Sequence, residues 1–214
     1  MNPVRAKRRR MYFWADESFD TMRRVAEAAK SSEWPDYAAF CVEYERGLRS
    51  RAFAILDRFV SSMQGAPFAD RRKFVSWLLT KVDGREGRRK LIPQPLQLRI
   101  IEPTLLEWTE VEPRCAEPHR WLGGYDHLKQ AIELDPLDAI AKRKLVVWIL
   151  RRVGFSTHEL PIGYLGSPEQ DLSDLEVAEA MLPGLPDESD RGQFAVVSAE
   201  DREIIQKHLR DRPV

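Results

Sequence analysis

The chain has 214 residues with equal numbers of basic and acidic side chains, 34 of each, and a pI near 6.9. Hydrophobic residues make up 43% and charged residues 32%, enough apolar material for a core, which excludes a wholly disordered chain. The longest apolar run, Leu145 to Leu150, is far short of the ~20 residues a membrane helix needs.

Charge is unevenly distributed. Residues 1–152 hold 29 Lys and Arg against 21 Asp and Glu, whereas residues 153–214 hold 5 against 13. Two cysteines, Cys41 and Cys115, read as reduced thiols. Together with the absence of a hydrophobic stretch after the basic start MNPVRAKRRR, this predicts a cytoplasmic protein.

Residues 1–13 read as a basic flexible tail, followed by a single helical domain over 14–214. A helix is expected from Ser18 to Lys30, with Met22, Val25, Ala26 and Ala29 on one face. Pro35 then opens a long helix. Tyr37, Phe40, Cys41, Tyr44, Leu48, Ala52, Ile55, Leu56, Phe59 and Met63 recur at spacings of three and four, with a bend expected at Gly47. Asp70 is a candidate cap for a helix to Val82 that turns Phe74, Val75, Leu78 and Val82 inward.

Residues 83–90, DGREGRRK, form a basic loop. Prolines at 93, 95, 103, 113 and 118 restrict the next stretch to short helices near 95–101 and 104–112. Residues 154–172 are rich in Gly, Pro and Ser and read as an irregular connector. Residues 173–214 read as acidic C-terminal helices packing on the main body. Ser173 with Glu176 and Ser198 with Asp201 are their candidate starts, and Gln193–Val197 is the one extended-looking stretch.

Residues 121–154 carry a recognisable pattern. Trp121-Leu122-Gly123 precedes Tyr125; Ala131 stands five positions before Pro136; Ala141, Leu145 and Gly154 come after it. This stretch resembles a degenerate tetratricopeptide-repeat helical hairpin, with Asp126–Pro136 as one helix and the segment after Pro136 as the next. The Trp121–Pro136 spacing is compressed relative to the family, and the resemblance covers about 35 residues only. It implies helix-hairpin packing and the family's role of binding segments of partner proteins. The expected fold is therefore all-α: an irregular helical bundle with a tetratricopeptide-like hairpin.

Motifs for chemistry are sparse. Cys115, His119 and His127 lie close together near Asp126 and Asp135, but there is no Cys-x-x-Cys pair, and the reading assigns no metal. His158-Glu159 lacks the second histidine of a zinc-protease motif, since position 162 is Ile162. No Gly-x-Ser-x-Gly elbow, P-loop or dinucleotide fingerprint occurs, and no cofactor is assigned. Glu107 with Glu110 and Glu176 with Glu179 read as charged helix faces.

The leading expectation is a noncatalytic adaptor or inhibitor that binds another protein through Trp121, Tyr125, Lys129, Arg143, His158 and Tyr164. Two alternatives stay open. One is an enzyme or small-ligand binder built around His158 with Glu159 and Tyr164. The other is nucleic-acid association through Arg85, Arg88, Arg89 and Lys90 and the tail residues Arg8, Arg9, Arg10, Tyr12 and Trp14.

Overall fold

The computed structural model describes residues 16–83, 88–158, 160 and 163–211, with side chains from Asp20 on apart from Arg88 and Arg89. It is all-α, a helical bundle with no strand among the described residues. The main helices are α1 (Asp16–Lys30), α2 (Pro35–Glu45), α3 (Arg49–Gln64), α4 (Phe68–Val82), α5 (Glu102–Val111), α6 (Ala116–Leu122), α7 (Tyr125–Leu134), α8 (Ala139–Ser156), α9 (Pro168–Met181) and α10 (Glu188–Arg210). The chain divides at Trp108 into two compact units.

The N-terminal unit is built on an aromatic core. Tyr37, Phe40 and Phe74 are fully buried, and the Phe74 ring meets those of Trp34, Tyr37 and Phe59 edge-on at 4.9–5.4 Å. The Tyr37 hydroxyl donates a 2.6 Å hydrogen bond to the carbonyl of Leu91, tying the one-turn segment Arg88–Leu91 to α2. Burial, and then the neighbouring Cys41 thiol, raise the Tyr37 phenol well above its ordinary pKa. Burial likewise pushes Cys41 up to about 12.

The apolar stripe predicted as one long helix is two. Gly47, at φ +79°, breaks it between α2 and α3. The prolines at 95 and 103 do not end helices. Gln94–Leu96 runs through a π-helical turn, Gln97–Ile101, into α5; Pro95 sits in the first turn, where a missing N–H costs nothing, and Pro103 follows directly on the π-helical turn inside the continuous helix.

The C-terminal unit packs α7, α8, α9 and α10 around Leu145, Val146, Ile149, Val153, Leu175 and Ile205. Ala131 and Ala141 are fully buried in the same cluster. The irregular stretch is shorter than expected, because α8 continues to Ser156 and α9 starts at Pro168. Ser167 caps α9 by accepting from the Gln170 N–H, and Pro168 fits the first turn; this start pre-empts Ser173, which lies inside the helix. Asp187 accepts from the N–H groups of Ser189 and Asp190 and starts α10 eleven residues before Ser198. Gln193–Val197 is therefore helical, with Phe194 turned into the core.

A candidate docking site in the C-terminal unit

The site starts from a tight hairpin. Gly123 and Gly124 adopt φ +72° and +76°, a region that side chains disfavour, and they fold α7 back on α6. Trp121 ends up buried, with its indole N–H donating to Glu117 one turn earlier at 3.2 Å. Tyr125 opens α7, and its ring lies 5.2 Å from that of Trp148 on α8.

Along α8, Lys144, Trp148 and Arg152 recur every four residues and so share one face. That face meets the hairpin. The Lys144 ammonium stands 3.7 Å from the centroid of the Trp121 ring. Lys129, an exposed residue one turn into α7, places its ammonium 5.3 Å over the Tyr125 ring. The Arg152 guanidinium lies 5.5 Å over Trp148. Each cation rests on the negative face of an aromatic ring, which fixes its position.

The end of this face is neutralised internally. Arg152 pairs with Asp171 at 2.5 Å and with Asp174, two buried carboxylates one turn apart on α9. Asp171 also accepts from the Tyr164 hydroxyl at 2.7 Å. Asp174 accepts from Gln170 at 3.0 Å and from the Tyr125 hydroxyl at 3.4 Å. Burial, and then the bond to Asp171, raise the Tyr164 phenol, so it stays a protonated donor. Its ring stacks on that of His208 at 5.2 Å.

The structure thus joins Trp121 to α8 through Lys144 and Tyr125 to α8 through Trp148, sets Lys129 over Tyr125, and links Tyr164 to Tyr125 through the carboxylate cluster. Arg143 is held elsewhere on α8 by a 2.5 Å pair with Asp190 of α10. His158 is exposed on the turn after α8. Glu159 lies outside the described residues, as do Arg85, the tail and the side chains of Arg88 and Arg89; Lys90 is half-buried. Of the glutamate pairs, Glu107 bonds Arg71 at 2.8 Å, and Glu179 accepts from Ser198 and Arg202.

No family model, curated protein or solved structure matches the chain.

Arg152, Asp171, Asp174 and His208 do not stand out in the sequence. The one signal there is the spacing of Asp171 and Asp174, which puts two carboxylates on one helix face. A second grouping is separate. His119, buried on α6, and His127, on α7, bring their Nδ1 atoms to 3.0 Å. Burial, and then the proximity of His127, lower the His119 pKa.

Proposed function

We propose that the C-terminal unit is a noncatalytic docking module that binds an acidic segment of another protein. The observation that supports this reading best is the pair of lysines held on aromatic rings, Lys144 over Trp121 and Lys129 over Tyr125. A mobile lysine loses rotamer entropy on binding, about 0.5–1.5 kcal/mol for each side chain immobilised. Cation–π seating removes part of that cost beforehand for each ammonium. Nearby, Arg152 pairs with Asp171 and Asp174, the Tyr164 hydroxyl donates to Asp171, and Arg120 pairs with Asp138. An ammonium carries three donors, and contact with a ring leaves it capacity for an added carboxylate.

A docking role also agrees with the resemblance of residues 121–154 to a partner-binding helical hairpin. The test is binding of a fluorescent ten-residue glutamate-rich peptide, compared with a duplex DNA of similar length, to the wild-type chain and to the Lys129→Glu/Lys144→Glu variant. Preferential peptide binding that falls with salt and with the double substitution supports the reading. Equal affinity of the variant, or preference for DNA, overturns it.

A further inference from the structure

The corner between α2 and α3, in the N-terminal unit, is a surface with a chemistry of its own. Every residue from Arg46 to Arg51 is exposed; three of the six are arginines and none is acidic. No atom beyond its immediate neighbours lies within 4 Å of where a Gly47 side chain would begin, so the turn stands clear.

Apolar side chains interrupt the basic run. Leu48 is 48% exposed and Phe53 37%. Phe53 follows Arg49 by one turn on the same face of α3, and both meet Tyr44, the phenylalanine ring at 5.9 Å and the guanidinium at 6.0 Å from its centroid. Arg46 and Arg51 each lie 3.4 Å from a different oxygen of the buried Glu43 carboxylate, so two guanidinium groups share one negative charge.

The start of α1 lies at the same end of the unit. It runs antiparallel to α2, and Arg23 bonds Glu45 in the last turn of α2 at 2.7 Å. The sequence joined to α1 there, residues 1–15, has five basic residues, no acidic one, and the run Met11-Tyr12-Phe13-Trp14.

Arginines beside exposed apolar and aromatic side chains suit the boundary of an anionic bilayer, where guanidinium groups meet lipid phosphates and apolar groups enter the headgroup layer. Leu48 cannot stack on a base, and a pI near 6.9 is unlike that of a dedicated nucleic-acid binder. Contact with the surface needs no membrane-crossing helix, and among the described residues there is none.

We propose that the α2–α3 corner docks the N-terminal unit on an anionic phospholipid surface. Leu48 and Phe53 enter the headgroup layer, and Arg46, Arg49 and Arg51 bind lipid phosphates.

The experiment is co-sedimentation of the full chain with vesicles of equal parts phosphatidylserine and phosphatidylcholine, compared with vesicles of phosphatidylcholine alone and with a single-stranded DNA. The expected result is binding to the mixed vesicles about tenfold or more tighter than to phosphatidylcholine, weakening with salt. Arg49→Glu should lower that affinity by about tenfold. Leu48→Ser should also lower it while leaving the charge unchanged; Leu48 is the residue at the start of α3, where serine is favoured, so this variant keeps its fold. Circular dichroism checks both. Equal affinity for the two vesicles, unchanged affinity of either folded variant, or tighter binding of the DNA than of the mixed vesicles overturns the proposal.

Discussion

The ammonium of Lys144 stands 3.7 Å from the ring centroid of Trp121, joining the middle of α8 to the end of α6. The indole beneath it is buried, so in the proposed docking its part would be indirect, holding the charge in place. Lys144→Ala should cost about 0.5–1 kcal/mol of stability, the ordinary worth of such a contact, in a denaturant titration. Trp121→Ala, which also empties a buried site, should cost about 3–5 kcal/mol. If the two substitutions cost the same, the indole is not a packing element.

Arg152 offsets two buried carboxylates. Arg152→Met should destabilise the C-terminal unit by about 3 kcal/mol, the lower end of the range for stranding a buried charge, because the guanidinium is partly exposed. Adding Asp171→Asn and Asp174→Asn to Arg152→Met should recover much of that loss. A triple variant as unstable as the single one would show that packing of the arginine stem, and not charge, sets the cost.

Tyr37 and Tyr164 have phenol pKa values raised by burial. A raised folded pKa means that the unfolded chain loses its proton first. The stability these groups contribute is therefore complete below the unfolded tyrosine value of about 10 and is lost as pH climbs above it. Spectrophotometric titration of the native protein should show both phenols ionising later than free tyrosine, together with unfolding. Tyr164→Phe should soften the alkaline loss and cost about 1–2 kcal/mol at neutral pH by leaving Asp171 one donor short.

The two thiols should differ sharply in reactivity. Cys41 is fully buried, with its thiol pushed up to about 12, whereas Cys115 is half-buried at the start of α6. Because the thiolate is the nucleophile, iodoacetamide at pH 8 should modify Cys115 alone in the folded chain and both thiols in denaturant. Mass spectrometry showing native modification of Cys41 would contradict the packing of α2.

Asp138 caps α8 by accepting from the Ala141 N–H at 2.9 Å and pairs with Arg120 of α6 at 2.9 Å. Asp138→Asn keeps the cap and loses the charge, while Asp138→Ala loses both. The alanine variant should be the less stable by about 1 kcal/mol, the usual worth of a cap. Identical melting of the two would remove the cap from the account.

How far the fold was legible depends on the range of the interaction behind each feature. The stripe from Tyr37 to Met63 is readable because burial repeats with the helical period, and most of its members are buried. Tyr44 and Ile55 are half-buried, and Leu48 is the one exposed member, at 48%. It comes directly after the left-handed Gly47, and the new helix starts there with a new phase. Helix starts were harder, since several capping residues compete locally: Ser167 and Asp187 act while Ser173 and Ser198 lie inside helices. The proposed docking face draws on Trp121, Tyr125 and Lys129, which the sequence singles out. The carboxylate cluster was not legible, because Asp171 and Asp174 look like any surface pair until Arg152, some twenty residues earlier, is seen to lie across both.

The most direct test of the docking account is the affinity of the glutamate-rich peptide for the wild-type chain against Lys129→Glu/Lys144→Glu, measured by fluorescence anisotropy at two salt concentrations. The account predicts about a tenfold or greater loss, or about 1.4 kcal/mol, in the charge-reversed protein and a smaller difference at high salt. Equal peptide affinity in a folded double variant would contradict it.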